Sequence, residues 1–471
     1  MHVAGHEYSL LSSAETEIIH RNVLRILAEV GIQIENQALL QDLEAFGLQV
    51  DLQAERVYFP PRTVEHFLER FEKFNWQNAS PRVSGSAGVY HGRFHDPESN
   101  DLTAWTESDL AYYFRLARRL EHLEGALMLG CRLPVPPSLE PLYERYYCWK
   151  YGALEGSSIY LDALCPYLYE LYQIRAAELG KPLSEVFRAT VYLIPALRLG
   201  RHEAYQVQWF RERGLRVHIG DMLALGANAP VTLAGGVALN LAEQIGLRIL
   251  ELAWFGDTRL HIGGSISPID LRTMIYPYGR PEMAIANLML AQMARYYGAS
   301  YSGHAALTDA KLPSVEAGYQ KALTGIPTLL ACGSLWMDAG LLSIDEICSP
   351  IQLILDNEFL SALKRFTIEY EVSDESISIE TILSAGPAGQ YLDKDHTVRY
   401  MRSQLWQPGL WSREMLGPWL DGPRRIDADR AREIALQIRK EPPPPPELSE
   451  FHEKEIQKLI EKARADLQSG D

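Results

Sequence analysis

Cysteine is scarce in this sequence and poorly placed for structural duty. Five occur (Cys131, Cys148, Cys165, Cys332 and Cys348), an odd number with no CxxC or CxxxH spacing. That excludes a disulfide framework and a structural zinc site, and leaves the thiols as small core residues. Basic charge is also in deficit: 45 Lys and Arg face 61 Asp and Glu, a formal net charge of -16. Such a surface repels phosphate backbones and anionic lipid, so neither nucleic acid nor membrane is an expected partner. No run reaches the ~18–20 apolar residues that span a bilayer. The N-terminal MHVAGHEYSLLSS has no basic region followed by an apolar stretch, so the chain reads as cytoplasmic. GxSxG, HExxH, P-loop and Cys–His nucleophile signatures are missing, and no GxGxxG follows a first strand. No repeat recurs at 20–50 residues.

What is present is a chain of 471 residues, 47% hydrophobic and 23% charged, enough for one large barrel with additions or for two domains. Residues 13–30 carry an apolar stripe at helical spacing (Ile18, Ile19, Val23, Ile26, Leu27, Val30), stopped by Gly31. A second helix is expected over 37–46, a hairpin over 48–51 and 56–59, and a third helix from Thr63 to Phe71. Residues 84–105 are Gly-rich with short alternating runs and read as a β-meander. Residues 1–106 are therefore read as an N-terminal α+β extension. From 107 to 440 amphipathic helices (201–213, 237–255, 281–297, 314–324) alternate with short apolar runs. The expected strands are 124–131, 157–163, 188–194, 215–220, 259–264, 299–303 and 328–332, with an eighth near 376–380 (SISIE). This alternation is the mark of parallel βαβ units. The expected fold is α/β, a (β/α)8 TIM barrel with an N-terminal extension and a C-terminal helical tail, in preference to an open doubly wound sheet. Residues 441–471 are a polyproline linker, Pro442–Pro446, and a helix over 448–467. Its apolar stripe is expected to dock on its own barrel or on a partner subunit, and with the acidic surface it points to a homo-oligomer.

Barrels carry their chemistry at the carboxyl ends of the strands. That rule selects His218 and Asp221; Ser265, Ser267, Asp270, Arg272, Tyr276 and Tyr278; His304, Thr308 and Asp309; then Ser334, Trp336 and Asp338. Each has a structural alternative. Thr308 and Asp309 precede a helix and suit capping. Tyr276 and Tyr278 flank Pro277 and suit a packed turn. Glu282 follows Pro281, where a carboxylate complements the helix dipole. His218 lies within a strand. Asp356 and Glu358, two apart on a helix, do not share a face. The residues alone thus define a barrel enzyme with an aromatic, mildly acidic mouth.

An ordered series of segments resembles the trimethylamine methyltransferase family, including its glycine betaine branch. The segments are Ile26–Asn36 (ILAEVGIQIEN), Phe46–Glu65, Ala229–Gly236 (APVTLAGG), Tyr276–Gly298 (YPYGRPEMAIANLMLAQMARYYG) and Thr308–Gly325 (TDAKLPSVEAGYQKALTG). Leu355–Glu358 (LDNE), Ala385–Thr397 (AGPAGQYLDKDHT) and Arg402–Arg413 follow. The resemblance implies a barrel methyltransferase that moves a methyl group from a methylated amine to the cobalt of a corrinoid. That corrinoid is presented by a separate partner protein, so no tightly bound cofactor and no metal ligand set are expected. The pyrrolysine of trimethylamine-specific members belongs near Gly333–Ser343 (GSLWMDAGLLS), where only ordinary residues stand. That points to the branch favouring quaternary amines such as betaines. Three departures stand out: Gly386-Pro387-Ala388-Gly389 for a Gly-rich turn, Met274 where glycine is expected, and a poor match from Cys165 to Gly200.

Under this reading Tyr276, Tyr278, Tyr301 and Trp336 form an aromatic cage for the ammonium group. Asp270 or Asp309 adds charge, Arg272 holds a betaine carboxylate, and Glu282 completes the substrate set. His304 is the acid that a tertiary amine would require, so His304, Asp309 and Asp270 are the catalytic candidates. Gly264, Ser265 and Asp221 are assigned to the corrinoid side. Two rival readings are a barrel lyase or hydrolase with a metal on His218, Asp221 and His304, and a non-catalytic binder of a methylated amine or a corrinoid protein.

Overall fold

A computed structural model describes residues 9–131, 133–193, 196–443 and 445–468. Residues 1–8, Ile194 of the expected fourth strand and Pro444 of the polyproline run lie outside them. Eight short parallel segments follow one another along the chain: β1 (Arg82–Val89), β2 (Ala126–Met128), β3 (Leu154–Glu155), β4 (Thr190–Tyr192), β5 (His218–Gly220), β6 (His261–Ile262), β7 (Ser300–Tyr301) and β8 (Ser334–Ala339). Parallel ladders join β8 to β1, β1 to β2, β2 to β3, β4 to β5 and β6 to β7. A single parallel bridge, Ser158 to Thr190, links the chain beyond β3 to β4. The result is mixed α/β with parallel sheets. Among the described residues no ladder joins β7 to β8, and β5 and β6 are not paired with each other, although just beyond them Leu223–Leu225 pairs in parallel with Ile266–Pro268.

Side chains from helices fill both gaps. The Leu233–Phe255 helix turns Asn240, Gln244, Arg248 and Glu251 inward, all buried and spaced by four, four and three. Such spacing is one helical face. Glu251 accepts from the Ile219 amide (3.4 Å), Arg248 donates to the Ile219 carbonyl (3.4 Å) and Gln244 accepts from the Gly263 amide (3.2 Å). The strand groups that would be orphaned are thereby paired, as buried backbone must be. On the other side, Asn287 donates to the His304 carbonyl (2.8 Å), the Ala306 amide donates to Thr324 (2.9 Å), and Arg295 donates to the Ala331 carbonyl.

Three expectations are corrected. Residues 82–89 are not part of a meander; they form β1, buried along seven of eight residues. Two-sided burial removes the polar alternation that marks a half-exposed strand, and only residues 93–95 and 102–103 form an antiparallel pair. Residues 328–332 are the end of the Val315–Cys332 helix, capped by Ser314. A short apolar run reads equally as either element, and the strand begins two residues later. Residues 376–380 are helical, started by a capping box at Ser373, with no partner strand. The eighth strand is Ser334–Ala339. The N-terminal hairpin (Gln49–Asp51 with Arg56–Tyr58) and the helices over 201–211, 233–255 and 281–297 agree with the sequence reading. The final helix, Glu450–Gln468, docks on its own chain: Ile456, Leu459, Ile460 and Ala463 are buried, and Glu453 accepts from Tyr146 (2.7 Å). All five cysteines are buried thiols outside any disulfide, and among the described residues no helix is long and apolar enough to cross a membrane.

The back of β8 is fixed by one buried ion pair. Lys321 donates to Asp356 at 2.9 Å, and the same carboxylate accepts from the Gly340 amide (2.7 Å) and from Gln352 (2.8 Å). Both charges are about fully buried, so removing one leaves the other without compensation. Lys321→Met is expected to cost about 3–5 kcal/mol, read as a fall in denaturant midpoint. The double change Lys321→Met with Asp356→Leu should recover part of that loss; a double variant as unstable as the single one would refute the assignment.

Candidate active site

Along β8 burial alternates. Leu335, Met337 and Ala339 are buried against helices, whereas Ser334, Trp336 and Asp338 retain accessible surface. The paired residues of β1, Ser84 and Ser86, are small, and a Cβ on Gly88 would lie 3.3 Å from the Asp338 Cβ. Small groups opposite Trp336 and Asp338 keep the inner face open. The same alternation recurs: Tyr192 of β4 and Ser302 and His304 beyond β7 are exposed, while Val191 and Tyr301 are buried. Tyr192 is 43% and Trp336 39% exposed, yet protein encloses Tyr192 and His304 on most sides. We read these surrounded yet accessible side chains as the lining of an internal cavity. Its wall is aromatic and polar.

At the carboxyl ends of the strands these side chains converge. The Tyr278 ring lies 5.7 Å from that of Tyr276 and 5.9 Å from that of His304, both edge-on. Tyr278 donates its hydroxyl to Asp345 at 3.0 Å. Tyr276 shares a hydrogen bond with Ser265 (2.9 Å). Burial pushes the Asp345 carboxyl up to about 7, with the charge of Asp338 adding to the effect. Burial likewise raises Asp338, opposed by His304, and lowers His304, opposed by Asp338. Both rings of the tyrosine pair stay protonated at any ordinary pH, again through burial. Glu346, the next residue, faces a separate cleft of about 540 Å³ lined by His91, Arg93 and Trp105.

Of the residues expected from sequence, His304, Tyr276, Tyr278 and Trp336 come together here. Others do different work. Asp309 spends its carboxylate on the amides of Tyr278 (2.7 Å) and Gly279 (3.0 Å), so it positions the tyrosine turn. Asp270 caps its own turn, accepting from Arg272 and Thr273 amides (2.8 and 3.1 Å), which holds its carboxyl below the usual range. Arg272 is exposed on that rim loop. Tyr301 points outward, is buried, and donates to Asn287 (2.9 Å), so it leaves the cage. Glu282 sits in the first turn of the Pro281–Tyr297 helix, 3.8 Å from Arg280, where it suits the dipole. Asp221 has both oxygens taken, by Asn240 and Gln244 at 2.6 Å, and burial pushes its carboxyl up to about 6. Gly264 has φ +143, and a Cβ there would meet Asn240 at 2.6 Å. Gly264 and Asp221 therefore pack the seam below Tyr276, and Ser265 orients it. His218, at the start of β5, pairs with Glu251 (3.3 Å), and among the described residues no three His, Cys, Asp or Glu are grouped as metal ligands.

Sequence reasoning passed over Asp345, Tyr192 and, at the end of β1, Tyr90, which perturbs both Tyr192 and Tyr278. Tyr90 would have followed from placing β1 correctly, whereas Tyr192 lies inside the expected 188–194 strand and was not singled out. Asp345 carries no motif; it is marked only by the backbone before it.

The comparisons with known proteins fall on this geometry. The family model described as trimethylamine methyltransferase (MTTB) matches residues 2–86 and 195–468. The chain belongs to that methyltransferase family. It is 25% identical to the trimethylamine methyltransferase MttB of Desulfitobacterium hafniense, over 94% of this chain and 92% of that one. It is 24% identical to the MttB of Methanosarcina thermophila (93% and 94%) and 24% identical to a glycine betaine methyltransferase of Desulfitobacterium hafniense (88% and 88%). Among solved structures, the Methanosarcina barkeri monomethylamine methyltransferase MtmB aligns with a TM-score of 0.45 at 10% identity, covering 92% of this chain and 89% of that chain. The unmatched stretch of the family model, 87–194, carries β2 to β4 and with them Tyr192.

Met274, where glycine was expected, has φ +61 and is 64% exposed. A left-handed L-residue costs roughly 1–2 kcal/mol, and little burial would be lost on replacement. Met274→Gly should therefore stabilise the protein by about 0.5–1 kcal/mol after the entropy cost of glycine. Thermal melting checks this; a destabilised variant would mean that the side chain has an essential contact.

Proposed function

We propose that this protein transfers a methyl group from a methylated, quaternary amine such as a betaine to a corrinoid carried by a separate protein. The observation that carries the reading is the cavity wall. Trp336 shares the accessible face of β8 with Asp338, Tyr276 and Tyr278 lie edge-on beside Asp345, and the exposed Tyr192 lies near Tyr90. Aromatic faces attract quaternary ammonium, and the carboxyls supply charge of the complementary sign. A quaternary donor expels a neutral amine and needs no general acid; it needs orientation and exclusion of water. His304, uncharged beside Asp338, does not repel a cation. An exposed Arg272 on the rim loop is placed in sequence to meet a carboxylate on the donor.

The corrinoid supplies a two-electron nucleophile for the methyl carbon. An apolar rim at the carboxyl ends, formed by Met222, Val231, Leu271 and Met274, fits the face of a macrocycle offered from outside. We read the eight segments as a (β/α)8 barrel whose wall is completed by side chains, and draw its chemistry-bearing unit from Arg82 rather than from residue 107. Exposed apolar residues over 383–416 (Leu383, Leu392, Met415, Leu416) support burial between copies of the chain in a homo-oligomer. The cytoplasm is the expected compartment.

The test is direct. Purified protein, a reduced free corrinoid and a panel of methylated amines are mixed, and the cobalt absorption is followed. Methylation with one quaternary amine is the expected result, and Trp336→Ala should raise KM for it roughly 2- to 30-fold, the worth of one cation–π contact. A folded protein inert towards the whole panel would refute the reading.

A further inference from the structure

The turn that carries Asp345 has unusual backbone. Ser343 and the β-branched Ile344 both lie in the left-handed region, at φ 51 and 69. Two such residues in succession persist only where their surroundings dictate them. Here they do: the Ser343 amide donates to Ala310 (2.7 Å), the Ile344 amide to Thr308 (2.9 Å), and the Ser343 hydroxyl to Glu346 (2.9 Å). What the turn accomplishes is to swing Asp345 back to the Tyr278 hydroxyl, beside the aromatic cavity.

The groups around Asp345 leave a charge unanswered. Tyr278 faces it from the 276–279 turn, Asp338 from β8, Lys321 from the Val315–Cys332 helix, Glu346 from its own turn and Cys348 just beyond. His304 faces Asp338. Lys321 is already paired with Asp356 at 2.9 Å. One oxygen of Asp338, Oδ1, is buried with no hydrogen-bond partner among the described residues. Two carboxyls thus border one cavity without a cation of their own.

We propose that Asp345 is the proton-linked counter-ion of this cavity, shared between its neutral and ionised forms in the ligand-free protein at neutral pH and fully ionised when a methylated ammonium enters. The proposal rests on the amine reading above and deepens it: the cavity selects cationic methyl donors over neutral ones. On binding, the Asp345 O–H bond breaks and the proton goes to solvent. When the methyl group moves, the nucleophile supplies the electron pair of the new bond to carbon, and the carbon–nitrogen pair stays on nitrogen. The positive charge leaves the cavity's ligand, Asp345 takes a proton back from solvent, and the neutral amine loses its seat. Burial has pushed this carboxyl up to about 7, so both states lie within reach near neutral pH.

Titration calorimetry with tetramethylammonium, in buffers of different ionisation enthalpy, reads the proton count. Wild type should release about half a proton per ligand at pH 7 and almost none at pH 9. Affinity should fall up to about tenfold per unit as pH drops below 7. Asp345→Asn should bind at the weak, low-pH level at every pH, with no proton released. Tyr278→Phe, which removes the hydroxyl donated to the carboxylate, should move the affinity midpoint to higher pH and serves if the Asn variant does not fold. Tight binding without proton release would overturn the counter-ion while leaving the amine reading intact. Release that persists in Asp345→Asn but vanishes in Asp338→Asn would move the role to Asp338 and overturn the assignment. Failure of wild type to bind any methylated ammonium would remove the amine reading and the counter-ion together.

Discussion

The wall of parallel strands is completed by helix side chains, and the rest of the molecule follows from that constraint. Between β5 and β6 the amide and carbonyl of Ile219 and the amide of Gly263 find Glu251, Arg248 and Gln244 instead of a neighbouring strand. An orphaned backbone group inside a protein costs free energy comparable to a lost hydrogen bond. The Leu233–Phe255 helix must therefore present polar residues on a face that would otherwise be apolar. Its first inward residue, Asn240, packs against Gly264 and donates to Asp221. The seam thereby reaches the carboxyl end of the sheet, where Ser265 holds the Tyr276 hydroxyl. Packing of the wall and orientation of the site are one network.

This explains which parts of the fold the sequence made legible. Helices with a proline start and a glycine stop, such as Pro281–Tyr297 before Gly298, stood out because their signals are local. Strands β2 to β7 were located within a few residues by their apolar runs. β1 was not, because small residues buried on both faces (Ser84, Gly85, Ser86, Ala87, Gly88) carry neither alternation nor bulk. Placing the last strand six residues too early, in the TLLAC run, followed from the ambiguity of a short apolar run. The error then propagated: a strand too few at one end was sought in SISIE at the other.

For the site, position along the chain was a better guide than residue type. His304 and Tyr278 follow strands, Trp336 lies within β8, and the three come together. Asp270, Asp309 and Glu282 also sit at strand or helix ends, but their carboxylates are consumed by nearby amides or a helix dipole. Asp and Glu at loop starts satisfy backbone donors far more cheaply than they wait for a ligand. Of the carboxyls that remain open, Asp338 was among the strand-end candidates although its strand was misplaced, and Asp345 lies in a turn that the sequence did not single out. Asp345 is detectable only from the left-handed Ser343 and Ile344, a property of the folded backbone.

The chemistry asked of the site is correspondingly modest, and the physical layout agrees with that. In the proposed reaction a nucleophile from outside does the bond-making, which would free the chain from supplying a triad, a metal or an acid of its own. What it must supply is a dry, cation-accepting surface that does not become a trap. A fixed carboxylate at the cavity would bind cations tightly before and after reaction, and binding substrate and transition state equally well does not raise turnover. A carboxyl made easy to protonate by burial, held by Tyr278 and brought in by a strained turn, would be fully ionised only while positive charge is present. Its neighbours are arranged to keep it so: Lys321, the nearest cation, is committed to Asp356, and His304 is kept uncharged by its surroundings. The buried ion pair behind β8 thus has a second consequence. By engaging Lys321, it keeps the cavity's negative charge available to the ligand.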